Sequence, residues 1–242
     1  MKTPVYFISD IHLKLHASPK EKKRRGSLYR LLDQIRKTGG SCFFVGDLFD
    51  FYFEYPHLIP KAYMDFYQKA VEMKNDGIEL HLLLGNHDYW DFGFFNRTFS
   101  KKSFKNQFKF KKHDQNCLII HGDGILKEDY GYRLFRRIIR SKLCIFLYNL
   151  LSPRIGYLIA KKISKADKPK EYYKDNELIK KKLLSYAKEK WKEVDVLLIG
   201  HYHQDGIIEE GNKKLIFLGD WLNKYLVTKY ENGVWEQIKW NK

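Results

Sequence analysis

The chain has 242 residues, 44% of them hydrophobic, and 45 lysines and arginines against 29 acids, for a net charge of +16. That length supports one good core with at most an appended lobe, and no internal repeat or low-complexity tract argues for a solenoid or a linker. A surplus of positive charge this large calls for an anionic partner: nucleic acid, an anionic membrane or an anionic substrate. Cys42, Cys117 and Cys144 are odd in number and lie inside apolar runs, so they read as buried thiols of a reducing compartment. The sequence enters a strand pattern at Val5 without the apolar region of a signal peptide, and the apolar run 143–148 is far too short to span a bilayer. A cytoplasmic protein is expected.

In chain order, a strand near 5–9 runs into Asp10-Ile11-His12, followed by a basic loop at 14–26 and a helix near 19–37. A second strand, 42–45, ends at Gly46-Asp47-Leu48-Phe49-Asp50, and a helix near 60–76 follows. A third strand near 78–84 delivers Gly85-Asn86-His87-Asp88, and the run 117–120 delivers His121-Gly122-Asp123. After a helical insertion comes a helix near 171–192, whose positions 178, 179, 183, 184, 187 and 191 form an apolar stripe that reads as core. The run 194–199 then leads to Gly200-His201-Tyr202-His203. Strands near 205–209, 214–218, 224–230 and 234–239 are expected to close the second sheet as a meander, with turns at 210–212 and 231–233.

Five segments therefore place carboxylate, amide or imidazole groups at the end of strand-like runs. Taken singly, an Asp or His after a strand is more often a turn or cap residue than a ligand. Five in order are different, because strands of a half-parallel sheet deliver their C-terminal ends to one rim. Imidazole suits transition metals, while carboxylate and amide oxygens suit harder ions such as Mn²⁺. The expected fold class is α/β with two mixed sheets.

This ordered set resembles the calcineurin-like metallophosphoesterase family over residues 5–203. The resemblance implies a four-layer sandwich of two mixed β-sheets flanked by helices, with two divalent metal ions at its rim. By match to the family's motifs, Asp10 and His12 would hold one metal, Asp47 would bridge both, and Asn86, His121 and His201 would hold the second. His203 would return to the first. Two metals about 3.5–4 Å apart can clamp phosphate oxygens and activate water for in-line attack. Beside the ligands, His87 reads as a general acid or as a group orienting the phosphoryl, with Asp88 placed to fix its tautomer and Asn86 in the same catalytic set. The alternative for His87 is a surface residue beside the site. Asp50 reads as a support for a ligand or a backbone amide, and Asp123 equally as a loop cap.

Between Asp129 and Asp167 there is no acid, whereas Arg133, Arg136, Arg137, Arg140, Lys142, Arg154, Lys161, Lys162 and Lys165 all fall there. Apolar positions 135, 138, 139 and 143 follow helical spacing, and Pro153 divides the stretch into two expected helices. Such a basic amphipathic hairpin suits an anionic lipid surface, with Leu143, Ile145, Phe146, Leu147, Leu150 and Leu151 lining an acyl pocket or facing the bilayer. Arg136, Arg137 and Arg140 would then meet headgroups. No nucleic acid is expected, because the aromatics do not form a stacking platform among basic residues. The whole chain, 1–242, reads as one domain with a cap insertion at 125–168.

Within the family, the His121-Gly122-Asp123 block followed by 129–133, the aromatic sequel 51–53 and Gly219-Asp220-Trp221 are similar to UDP-2,3-diacylglucosamine pyrophosphatases of bacterial lipid A synthesis. The resemblance implies hydrolysis of a nucleotide-linked lipid to UMP and 2,3-diacylglucosamine 1-phosphate, Mn²⁺ as the usual metal, and peripheral association with the cytoplasmic face of the inner membrane. Asn86, His87, Asp129, Ser164, Lys168 and His201 match its substrate-binding positions. One departure stands: that branch carries Arg after the Gly-Asn pair, where this chain has His87. Two alternatives follow. One is a metallophosphoesterase for soluble nucleotides or phosphoproteins, and the other is a basic nucleic-acid or membrane-binding protein with a degenerate metal site.

Overall fold

The structure, a computed structural model, describes residues 1–55, 58–166 and 176–240. Its first sheet is built on three parallel strands, β1 (Val5–Ile8), β2 (Ser41–Val45) and β3 (Glu79–Leu83). The short β4 (Lys102–Phe104) extends them beyond β3. On the other edge β10 (Leu226–Glu231) runs antiparallel to β1 and pairs with β11 (Val234–Lys239). The second sheet has the order β5 (Gln107–Lys112), β6 (Gln115–Ile120), β7 (Val196–Ile199), β9 (Lys213–Leu218), β8 (Asp205–Glu210), with β6, β7 and β9 parallel.

The central strands are apolar on both faces because each sheet is covered on both sides. Tyr6, Ile8, Cys42, Phe44, Leu80 and Leu82 face outward onto α1 (Pro19–Thr38) and α2 (Met64–Asn75). The alternate residues Val5, Phe7, Phe43, Val45 and Leu83 meet Cys117, Ile119, Val196, Leu198, Ile216 and Leu218 between the sheets. On the far face, Leu118, Ile120, Leu197, Ile199, Leu215 and Phe217 pack on α7 (Glu177–Lys190) through Ile179, Leu183 and Ala187. The result is the four-layer α/β sandwich expected from the sequence.

Several elements differ from expectation. The strands after β7 do not form one meander: β8 and β9 stay in the second sheet, while the β10–β11 hairpin crosses to the first. Tyr230 and Trp235 of that hairpin pack between the sheets, with Trp235 5.6 Å from Phe7 ring to ring. Alternating apolar residues determine which face of a strand is buried, but either sheet can supply the partner. The stretch 14–26 is not a basic loop, since α1 begins at Pro19 and buries Glu21, Arg24 and Arg25 as an ion cluster. The helix near 60–76 is a 3₁₀ turn, Lys61–Tyr63, leading into α2. The region before β6 also holds α3 (Phe94–Thr98), which the sequence reading omitted together with β4 and β5.

The insertion is three helices, not two: α4 (Tyr130–Ile139), α5 (Lys142–Asn149) and α6 (Pro153–Ala166). The extra break follows from Ser141, whose hydroxyl accepts the Cys144 N–H at 3.2 Å and starts α5 afresh. The lobe sits on an aromatic bed of Phe53, Tyr55 and Trp90, against which Ile139, Ile145, Tyr148 and Tyr157 pack. Trp90 Nε1 donates to the Ile139 carbonyl at 3.3 Å, tying the bed to the end of α4. Cys42 and Cys117 are buried as expected, whereas Cys144, on this lobe, is only half-buried. Among the described residues, no helix is long and apolar enough to cross a membrane.

Candidate metal centre

The parallel strands end side by side, and the chain turns sharply at each end. Asp10, His12, Asp47, His201 and His203 all adopt left-handed backbone conformations, with φ of 51°, 47°, 50°, 63° and 54°. Non-glycine residues rarely hold this conformation, and its concentration on one rim marks strain held in place by the surrounding packing. Asp10 N donates to Gly46 O at 3.2 Å and His12 N to Asp47 O at 2.8 Å, lacing the first two strand ends together. Two glycines permit the side chains to close in. A Cβ on Gly46 would lie 2.1 Å from His121 Nδ1, and one on Gly85 would lie 2.3 Å from Asp47 Oδ1.

Three overlapping groups of potential ligands result: Asp10, His12 and His203; His12, Asp47 and His87; Asp47, His121 and His201. Asp10 Oδ1 lies 3.3 Å from His203 Nε2 and 3.8 Å from His12 Nε2. Asp47 Oδ2 lies 3.5 Å from His12 Nε2 and 3.4 Å from His121 Nε2, so Asp47 stands between the outer groups. Asn86 Oδ1 completes one side, 3.1 Å from His121 Nε2. Asp10 and Asp47 are fully buried, yet Asp10 Oδ1 and Asp47 Oδ2 have no hydrogen-bond partner. Buried carboxylate oxygens without partners are costly, and a cation among them removes that cost. The donor set therefore fits divalent metal ions.

The electrostatics agree. Burial alone would raise the carboxyl pKa of Asp10, but the imidazoles of His203 and His12 carry it well below the usual range. Burial opposes ionisation of Asp47 too, and His121 with His87 overrides it. His121 loses solvation, which favours its neutral form, yet the Asp47 carboxylate lifts it to about 10. Without a cation, protons compensate the buried negative charge.

His87 is buried beside the cluster, its Nε2 3.8 Å from Asp47 Oδ2, and it is not a surface residue. The expectation that Asp88 sets its tautomer is overturned. His87 Nδ1 is 2.6 Å from the Asp50 carbonyl, which can only accept, so Nδ1 carries the proton. Asp88 instead accepts the N–H groups of Leu48 and Gly85, each at 2.7 Å, and so pins the Asp47 loop to the Gly85 loop. Its burial, reinforced by nearby Asp47, pushes it up to about 7.

The cap joins the rim through Asp123, two residues beyond His121. Its Oδ2 accepts Arg136 Nη1 at 2.9 Å, Arg140 Nη2 at 3.0 Å and the Tyr132 hydroxyl at 3.2 Å. Burial would raise Asp123, but Arg140 and His121 hold it below its ordinary value. Arg136 and Arg140 are thus committed inward, which corrects their placement at lipid headgroups; Arg137 has an exposed side. Of the six expected apolar contacts, Ile145 packs into the aromatic bed, whereas Leu143, Phe146, Leu147 and Leu150 are exposed.

The outlying positions are less gathered. Asp129 is half-buried at the root of α4 and accepts the Tyr202 hydroxyl at 3.3 Å. Ser164 lies in α6, and Lys168 lies outside the described residues. Two supporting residues escaped the sequence reading. Ser9 donates to Asp10 Oδ2 at 2.6 Å, and Asp220 Oδ2 stands 3.5 Å from His203 Nδ1. The Asp220 block was visible as a motif, but its contact with a histidine 17 residues earlier in sequence has no periodic signal.

A two-sheet α/β sandwich that gathers Asp, Asn and His from five strand ends on one rim defines a metal-dependent phosphoester hydrolase. The chain belongs to the calcineurin-like phosphoesterase family, whose model matches residues 3–205. Among relatives, it is 30% identical to a UDP-2,3-diacylglucosamine hydrolase of Porphyromonas gingivalis, over 94% of each chain. It is 26% identical to the UDP-2,3-diacylglucosamine hydrolase of Haemophilus influenzae, covering 97% of this chain and 98% of the relative. The protein of that name in Neisseria gonorrhoeae is 26% identical, over 92% of this chain and 91% of its own length.

Proposed function

We propose that this chain hydrolyses the pyrophosphate bond of UDP-2,3-diacylglucosamine, giving UMP and 2,3-diacylglucosamine 1-phosphate, the lipid A precursor step implied by the resemblance. The observation that carries the reading is the juxtaposition of a metal-binding rim with a cap that holds no acid between Asp129 and Asp167 and whose Leu143, Phe146, Leu147 and Leu150 are exposed. The near-full-length likeness to relatives bearing that activity in their names supports it. In this reading Asp10, His12 and His203 hold one divalent ion, Asn86, His121 and His201 hold a second, and Asp47 serves both. When bound, such ions polarise phosphate oxygens and lower the pKa of water. Mn²⁺ is the favoured identity.

The protein's own groups orient the substrate. The departing group is a phosphate monoester whose second pKa is about 6, so it leaves without needing a proton at neutral pH. His87 accordingly acts in its doubly protonated form, donating Nε2–H to a phosphoryl oxygen in a pose fixed by its Nδ1–H bond to Asp50 O. Residues 125–168 form the cap of a single domain spanning 1–242. Its exposed apolar residues take acyl chains or lie at the inner membrane's cytoplasmic face, with Arg137 and Arg154 meeting anionic headgroups. Asp129, Ser164 and Lys168, which match the lipid branch's substrate-binding positions, would contact the substrate.

A second reading, hydrolysis of soluble phosphodiesters, is favoured by His87 standing where the lipid branch has Arg. One comparison separates the two: turnover with Mn²⁺ on UDP-diacylglucosamine, on a UDP-sugar without acyl chains, and on bis-p-nitrophenyl phosphate. A kcat/KM at least tenfold higher for the diacylated substrate is expected. Equal values for the acylated and unacylated sugars would overturn the lipid assignment.

A further inference from the structure

On the side of the rim formed by His12 and His87 lies a cavity of ≈ 290 Å³, lined also by Lys14, Ser18, Lys20, Glu21, Arg24, Asp50, Leu222 and Asn223. We propose that this cavity receives the nucleotide half of the substrate, a pyrimidine nucleoside monophosphate, and holds it there as product. The inference rests on the proposed function above and assigns the part of the substrate which that reading leaves unplaced.

A diacylated sugar needs an apolar groove, since each buried CH₂ contributes about 0.8 kcal/mol. Among the described residues, Leu222 is the one aliphatic side chain lining the cavity, so it suits no acyl chain. The cap runs from Phe51, on which Tyr157 packs at 5.6 Å ring to ring, across to the other group of ligands, where the Tyr132 ring is 6.3 Å from His201. The cavity shares His12 and His87, whose rings meet edge-on at 4.8 Å beside Asp47. A diphosphate whose scissile bond lies at the rim would therefore extend its lipid arm beneath the cap and its nucleotide arm into the cavity. The volume sits at the lower end of small-ligand sites, about 300–1,000 Å³.

The wall is rigid and its charge suits an anion. Glu21 is ion-paired to Arg24 at 2.6 Å and to Arg25 at 3.0 Å, and it accepts the Lys14 N–H at 3.0 Å. Arg24 in turn donates to the His12 carbonyl at 2.7 Å. A buried ion cluster of this kind is weak as a source of stability and here fixes the backbone of 12–14. With Glu21 neutralised internally, the exposed Lys14 and Lys20 face the cavity opposed by Asp50 alone. Ser18 and Asn223 add hydroxyl and amide groups that match the alternating donor and acceptors of a uracil edge.

The test is calorimetric titration of the Mn²⁺-loaded protein with UMP, inorganic phosphate and glucosamine 1-phosphate. UMP and phosphate reach the same metals, so the ratio of their affinities isolates the cavity. UMP should bind at least tenfold tighter than phosphate. That ratio should fall about tenfold in Lys14→Ala/Lys20→Ala and in Asn223→Trp, which fills the mouth. All three sites are exposed, so folding is not at stake. A UMP affinity no better than that of phosphate, a ratio unchanged in both variants, or an advantage held by glucosamine 1-phosphate instead would each overturn the assignment. If UMP keeps its advantage while UDP-diacylglucosamine is not turned over, the cavity stands as a nucleotide site and the lipid reading fails.

Discussion

Arg136 of the cap and Asp123 of the rim form an ion pair, Nη1 to Oδ2 at 2.9 Å, on a carboxylate that also accepts Arg140 and Tyr132. The cap is thereby tied to the loop that carries His121, two residues away. Asp123→Ala leaves two arginines uncompensated, and because both retain some solvent the cost is about 1–3 kcal/mol. Hydrogen exchange should quicken across 130–149 while β1 and β2 stay protected. Unchanged protection in the cap would mean that the aromatic bed alone holds it.

Arg137 differs from its neighbours in having an exposed side with no role at Asp123. Arg137→Glu should weaken binding to anionic vesicles several-fold and leave the melting temperature in place, as each basic residue near such a surface contributes about 1 kcal/mol. Arg136→Glu should instead lower the melting temperature. Vesicle sedimentation with a parallel thermal melt reads both; equal vesicle effects without a stability difference would contradict the inward role of Arg136.

Gly85 lies under Asp47, where an added Cβ would come within 2.3 Å of Oδ1. Gly85→Ala must displace that carboxylate, and displacements on the order of 1 Å at reacting centres cost about 10²-fold in rate. Activity should drop by that factor or more, with the secondary structure retained by circular dichroism. An active variant would show that Asp47 can shift without consequence.

Much of the rim was legible because strand-like runs and their terminal Asp, Asn and His sit together in the sequence. The gathering of Asp10, Asp47, Asn86, His121, His201 and His203 needed only the rule that parallel strands end on one side. What could not be read were the choices between equivalent partners. The β10–β11 hairpin has the same alternation whichever sheet it joins. The tautomer of His87 is set by the Asp50 carbonyl, a backbone atom with no sequence signature, and not by the adjacent Asp88. Arg24 and Arg25 read as part of a basic loop at 14–26 because their partner Glu21 is an ordinary residue of that stretch. The inward turn of Arg136 and Arg140 is likewise a tertiary pairing with Asp123.

Metal binding should be coupled to proton release. The Asp47 carboxylate lifts His121 to about 10, so without metal its imidazole is charged at pH 7.5. A raised folded-state pKa stabilises the metal-free protein below the unfolded value of about 6.5, and that contribution fades as pH climbs toward 10. A ligating imidazole must be neutral, so at least one proton leaves when the ion arrives. Titrating Mn²⁺ at pH 7.5 in HEPES and in Tris, whose ionisation enthalpies differ, should give different apparent heats. Identical heats would mean that His121 is already neutral.

Removing the metal should cost both stability and turnover. Asp10 Oδ1 and Asp47 Oδ2 are buried without hydrogen bonds, so the rim is incomplete when only protons balance it. An ion present at about a hundredfold excess over its Kd stabilises by about 2.7 kcal/mol. For a chain of this size each kcal/mol shifts the melting temperature by about 2–4 °C, so chelation should lower it by roughly 5–10 °C. Asp47→Ala should abolish turnover, keep its fold, and lose most of that chelator-sensitive shift, because it removes the carboxylate between the two outer groups. A variant that hydrolyses substrate at the parent rate, or a parent whose activity survives exhaustive chelation, would end the metal-dependent reading.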